Sequence, residues 1–250
     1  MKLMDINCGI GAPLKSHRYQ TAEGLLRWMD DYRIDSALAY HSEALREPEM
    51  GNALMQRAAA ASGGRLRLCF AVNPSLDSLG IPGTGSVLER LHAARPSALR
   101  VFPKEQGYPF GSFYADTILA PAQALRLPVV LDMDYTEPFL NALPQMCADY
   151  PDVPFIFLRY GFKHSRTIFP ILRKLPNVYL DTSIMVDVGQ IEELVERFGS
   201  ERLLFGSGLP TYVPDGALGL LLYAGLGADD FENITHRNFE RLEGAIRYDD

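Results

Sequence analysis

Arginine is rare inside a β-strand, yet this sequence places Arg100 within the apolar run Ala98–Phe102 and Arg159 directly after the run Phe155–Leu158. Asp132 and Asp134 fall at the end of Val129–Met133, Asp181 closes Val178–Asp181, and Ser207 closes Leu203–Ser207 between two glycines. An ionised group in an apolar wall is costly unless it is paired. Two readings therefore stay open. In one, these arginines and aspartates satisfy each other as a buried salt-bridge network. In the other, Arg100 and Arg159 fork onto the carboxylate or phosphate of a small anionic ligand, and Asn7, Asp181 and Ser207 line the same space. Asp132 or Asp134 would then act as general base or acid, provided desolvation raises its pKa. His41, which follows the second apolar run, is the other candidate for proton transfer.

Other chemistries find less support. Gly206-Ser207-Gly208 is not a GxSxG elbow, so a serine nucleophile has no motif behind it. No HxH, HExxH or clustered His/Cys spacing is present, so neither a metal nor another cofactor is expected. The formal charge is −7, from 24 Lys+Arg against 31 Asp+Glu. No net basic field exists to attract nucleic acid or an anionic membrane. The three cysteines, Cys8, Cys69 and Cys147, lack CxxC spacing and read as reduced thiols. No basic and apolar leader opens the chain, and no apolar run approaches ~18 residues. The expected location is cytoplasmic.

The elements that must position these residues alternate regularly. Strand-like runs are read at Met1–Ile6, Ser36–Tyr40, Leu66–Val72, Ala98–Phe102, Val129–Met133, Phe155–Leu158, Val178–Asp181 and Leu203–Ser207. Between them lie a loop over 10–20 with Lys15, His17 and Arg18, then helical patterns that include Pro48–Ala61, Ser86–Ala94, Thr117–Leu125, Pro138–Ala148, Ser165–Leu175 and Val188–Phe198. Helices near 215–224 and 229–246 finish the chain. Eight strand–helix alternations with short connections predict a distorted (β/α)8 TIM barrel in one domain spanning residues 1–250. An open doubly wound sheet is the competitor, but no Gly-rich phosphate fingerprint follows the first strand. Strand C-termini of such a barrel share one face. Period-two alternation then puts Asp5, Asn7 and Gly9 on one side of strand one, and Asp132 and Asp134 on one side of strand five.

Five segments resemble the amidohydrolase superfamily, in the amidohydrolase-related branch that includes decarboxylases and lactone hydrolases. They are Met4–Gly9, Phe157–Gly161, the run Asn177–Ser183, the run Leu203–Pro210, and the tail Ile234–Leu242. The resemblance implies a barrel with its pocket at the strand C-terminal mouth, and it makes a homodimer the expected assembly. It also implies a metal site whose positions are substituted here. The family's first-strand His-x-His pair corresponds to Asn7 and Gly9, its fifth-strand ligand to Asp132, its sixth-strand histidine to Arg159, and its eighth-strand aspartate to Gly208. The expected function is a metal-independent hydrolase or lyase acting on a small carboxylate- or lactone-type compound. The alternative is a catalytically inactive family member that binds a small molecule or a partner.

Overall fold

The computed structural model describes residues 1–12, 19–74 and 86–248; Lys15, His17 and Arg18 lie outside the described residues. Eight parallel strands follow one another in sequence order: β1 (Met4–Ile10), β2 (Ser36–His41), β3 (Leu66–Ala71), β4 (Ala98–Arg100), β5 (Val129–Asp132), β6 (Phe155–Leu158), β7 (Val178–Asp181) and β8 (Leu203–Leu204). The sheet closes on itself. The Ile6 N–H donates to the Phe205 carbonyl at 2.9 Å, and the Gly208 N–H donates to the Asn7 carbonyl at 3.1 Å. The result is the TIM barrel that the alternation predicts.

Helices cover the outside: α1 (Ala22–Asp31), α2 (Pro48–Ala61), α3 (Val87–Ala94), α4 (Ser112–Leu125), α5 (Leu143–Asp149), α6 (Ser165–Lys174), α7 (Gln190–Phe198) and α8 (Pro214–Tyr223). Their ends are written in the sequence. Thr21 caps α1 by accepting from the Gly24 N–H at 2.9 Å, and Ser86 with Glu89 forms a reciprocal capping box on α3. The stretch read as one helix over Pro138–Ala148 is instead a 3-10 turn, Glu137–Phe139, followed by α5. Pro144 sits in the first turn of α5, where its missing N–H costs nothing. The closing helical segment runs as α9 (Ala228–Glu232), a π-helical turn (Asn233–Arg237) and α10 (Asn238–Gly244).

Alternation along the strands sorts the apolar residues into two cores. Met4, Ile6, Leu38, Cys69, Ala98, Val130, Ile156 and Leu204 fill the barrel together with Phe239 and Leu242 of α10. Ala37, Leu68, Leu99, Val129, Phe155 and Leu203 face outward onto Leu25, Met29, Met55, Leu91, Ile118 and Leu194 of the helices. Each large aliphatic so buried contributes roughly 1.5–3 kcal/mol.

Strand β1 breaks the rule, and this corrects one expectation. Its pairing with β2 shifts register between Asp5 and Cys8. Met4 and Ile6 point into the barrel, whereas Cys8 and Ile10 point out. The extra residue of this bulge puts Asp5 and Asn7 on different faces. The Asp5 carboxylate fixes the bulge: Oδ1 accepts from the Asn7 N–H and the Ser207 N–H, each at 3.0 Å.

Candidate functional site

The C-terminal ends of β4, β5, β6 and β7 deliver a continuous polar cluster. Arg100 reaches across from β4 and pairs through Nη2 with Asp132 Oδ2. From β6, Arg159 approaches the same carboxylate edge-on: Nε donates to Oδ1 at 2.9 Å, and Nη2 lies 2.7 Å from Oδ1 and 2.6 Å from Oδ2. The Asp134 N–H donates to Oδ1 at 3.1 Å and so caps the helical turn Met133–Thr136. A carboxylate has about four acceptor positions, and five N–H contacts fill those of Asp132. Its side chain is fully buried.

Arg159 holds an unusual backbone. Its φ is +61°, in the left-handed region that non-glycine residues rarely occupy. The other non-glycine residues with positive φ among the described residues are Arg33, Arg95 and Arg126; Arg95 and Arg126 cap helix C-termini and Arg33 follows the end of α1. Such a conformation costs on the order of 1–3 kcal/mol and persists where surrounding bonds over-determine it. Here they do. The Arg159 N–H donates to Asp181 Oδ1 at 2.8 Å, while the guanidinium is pinned by Asp132 and by Asp134 Oδ2, 2.8 Å from Nη2. Burial is the largest influence on both arginines and opposes their charged form, but the surrounding groups, Asp132 foremost, together outweigh it and hold their pKa values above the ordinary range.

Asp181 extends the cluster to β1. Its Oδ2 accepts from Asn7 Nδ2 at 3.0 Å, and the same nitrogen donates to Ser183 Oγ at 3.1 Å. Burial raises the Asp181 pKa to about 6, although bonds from Ser183, the Arg159 N–H and Asn7 pull the other way. A carboxyl whose folded pKa lies above its unfolded value stabilises the fold at low pH and loses that contribution as pH rises through the folded pKa. Wild-type stability relative to Asp181→Asn is therefore expected to fall by about 2–3 kcal/mol between pH 4 and pH 7. Urea unfolding of both proteins across that range measures it, and parallel stability–pH curves would refute it.

Ser207 is fully buried, and its Oγ accepts from the Leu209 N–H at 3.1 Å. This bond braces the turn after β8 and presents no nucleophile. His41 is not brought to the cluster. Tyr40 faces the barrel interior, with its ring 4.1 Å from the Arg100 guanidinium carbon, so His41 faces the other way. His41 lines a side pocket of about 390 Å³ with Tyr19, Ser42, Arg46, Met50 and Glu105. Its Nδ1 accepts from the Glu43 N–H at 3.1 Å, and burial lowers its pKa. Pairing His41 with Asp132 in proton transfer is thus corrected by the geometry. Asp134 is the cluster's partly open carboxylate, its side chain 25 % exposed against 0 % for Asp132.

Sequence reasoning passed over Tyr40, Phe102 and Tyr135. Phe102 packs edge-on against Tyr135 at 5.0 Å and tilted against Tyr40 at 5.6 Å, and the Arg100 guanidinium sits over both Tyr40 and Phe102. The signal for Tyr40 was available: if Leu38 points inward, so does Tyr40, and His41 cannot. Among the described residues no group of three or more His, Cys, Asp or Glu side chains is disposed to hold a metal ion, and no helix is long and apolar enough to cross a membrane.

A family model described as Amidohydrolase matches residues 17–242. No curated protein sequence matches the chain. Among solved structures, an uncharacterised TIM-barrel protein from Bordetella bronchiseptica superposes with a TM-score of 0.77 at 14% identity, covering 98% of this chain and 99% of the other. A 2,6-dihydroxybenzoate decarboxylase complexed with 2,6-dihydroxybenzoate gives 0.74 at 13%, covering 98% and 99%. A dihydroxybenzoic acid decarboxylase from Polaromonas, with bound manganese and the inhibitor 2-nitroresorcinol, gives 0.74 at 14%, covering 97% of each chain. At these identities the likeness is one of fold.

Proposed function

The chain belongs to the amidohydrolase family, and from that premise we propose that it acts on a small carboxylate- or lactone-type compound at the barrel mouth without a divalent metal. Arg159 carries the reading. It is a strained, buried arginine held in a two-carboxylate cluster at the strand ends, and strain of this kind concentrates at functional sites. Its planar fork suits a carboxylate ligand, and the structural neighbours include an enzyme complexed with an aromatic carboxylate. Arg100 supports the same site, since its buried Nε has no hydrogen-bond partner among the described residues.

A divalent ion of the kind the Polaromonas neighbour binds does not fit these residues. The acceptor positions of Asp132 are taken by N–H donors, and two guanidinium charges stand against its oxygens. The family's second first-strand histidine corresponds to Gly9, and a Cβ there would lie 3.1 Å from the Tyr40 ring, so Tyr40 fills that space. The family's aspartate on strand eight corresponds to Gly208. Its φ is +77°, and a Cβ there would fall 2.8 Å from the Tyr212 ring. Hard cations need several oxygen ligands together, and at this mouth Asp132 and Asp134 are paired with guanidiniums while Asp181 is held by Asn7 and the Arg159 N–H.

In this reading Arg159 anchors the ligand anion, Arg100 and Asp132 hold Arg159 in place, and Asp134 moves the proton. The test is turnover by chelator-treated protein of a panel of aromatic carboxylates and lactones, with and without added manganese. Turnover that manganese does not raise is the expected result; turnover that appears only with manganese would end the proposal. The saturated state of Asp132 favours one second reading, an inactive family member that binds its ligand without converting it. That reading predicts saturable binding and no turnover in the same panel.

A further inference from the structure

We infer that Asp134 is an internal competitor for the anion site: its carboxylate occupies, on the Arg159 guanidinium, the place that a ligand carboxylate would take. The inference rests on the reading of Arg159 as the anion anchor.

Three observations carry it. First, Asp134 is not needed to satisfy Arg159. Three carboxylate oxygens lie within 2.8 Å of Nη2, two from Asp132 and one from Asp134, but that nitrogen has only two hydrogens to give. Asp132 alone can take both. Second, the charges of the four side chains balance only when Asp134 is counted. Two guanidiniums face two carboxylates, so the cluster as it stands exerts no net pull on an anion. With Asp134 turned away, one positive charge is left uncompensated in a largely desolvated place, and an entering carboxylate restores neutrality. The Asp181 carboxyl, held by the Arg159 backbone N–H and Asn7, is common to the wild type and every Asp134 variant, so its charge cancels from the comparison. Third, Asp134 can leave and Asp132 cannot. The Asp132 side chain is 0 % exposed and bonded on every side, whereas that of Asp134 is 25 % exposed and lies in the first turn of a four-residue helical segment at the mouth.

The Asp134 side chain can also be replaced without undoing the local fold. The bond that caps this turn is made by the Asp134 backbone N–H to Asp132 Oδ1, which every substitution except proline keeps. A ligand would exchange one carboxylate for another on Arg159, and its affinity would be set by the difference between them.

The experiment is calorimetric titration of the full chain with 2,6-dihydroxybenzoate, and with resorcinol as the uncharged counterpart. Wild type is compared with Asp134→Ala, Asp134→Asn and the charge-preserving Asp134→Glu, each first checked by thermal unfolding. Asp134→Ala and Asp134→Asn are expected to bind the acid roughly tenfold more tightly, the scale of a partly exposed ion pair removed from competition. Asp134→Glu should bind it like wild type, and resorcinol should respond to none of the changes. If wild type binds the acid and both neutral variants bind it no better, Asp134 is not a competitor and the inference fails alone. If no protein in the series binds the acid, Arg159 is not an anion anchor and the underlying reading fails as well.

Discussion

Asp132→Ala is expected to destabilise the protein by about 3–5 kcal/mol, the cost of removing one partner from a buried ion pair and leaving the other uncompensated. The geometry places this substitution at the costly end. Asp132 pairs with two guanidiniums at once, and it also receives the N–H that starts the Met133–Thr136 turn. Nothing else in the cluster replaces it. The Asp134 carboxylate pairs with Arg159, and Asp181 is bonded to the Arg159 backbone and Asn7. The loss should lie in the charge and not in the volume. An Asp132→Leu, Arg100→Met, Arg159→Met triple variant is therefore expected to recover most of the stability that Asp132→Ala loses, since apolar replacements of buried ion pairs are often neutral or stabilising. Equilibrium urea unfolding of wild type, the single variant and the triple variant measures both effects. A triple variant less stable than Asp132→Ala would show that the cluster stabilises the barrel beyond charge compensation.

Arg159→Met is expected to lower affinity for a carboxylate ligand by ~100-fold, within the range for truncating one partner of a buried charged pair. Its effect on stability should be smaller than that of Asp132→Ala, because Asp132 keeps Arg100 as a partner and methionine fills much of the volume. Arg159→Lys separates charge from geometry. It restores a cation but not the planar edge that meets Asp132 through Nε and Nη2, so it should recover only part of the affinity. Titration of the three proteins with 2,6-dihydroxybenzoate checks this. A lysine variant equal to wild type would mean that the site reads charge alone.

The barrel was readable because each strand is an apolar run that stops at polar or turn residues, and eight such runs alternate with helical spacing. The cluster was readable for a simpler reason: Arg100, Asp132 and Arg159 are charges where apolar walls were expected. What stayed hidden was three-dimensional. Whether Arg100 and Arg159 face a ligand or Asp132 depends on the strand order β4, β5, β6, which puts Asp132 between them. The left-handed backbone of Arg159 leaves no trace in its residue type, since such conformations ordinarily select glycine or asparagine. The bulge in β1 moved Asn7 to the face opposite Asp5, because one inserted residue inverts every side chain beyond it. The alternation that places Tyr40 inside turns His41 away from the cluster, whatever its chemistry suggests.

The metal question bears most directly on the account, because the family resemblance and the donor set at the mouth point in opposite directions. Chelator-treated wild-type protein, shown by elemental analysis to lack stoichiometric metal, should bind 2,6-dihydroxybenzoate saturably, and added manganese should leave that affinity unchanged. Binding that is absent from the treated protein and appears with one equivalent of manganese would contradict it.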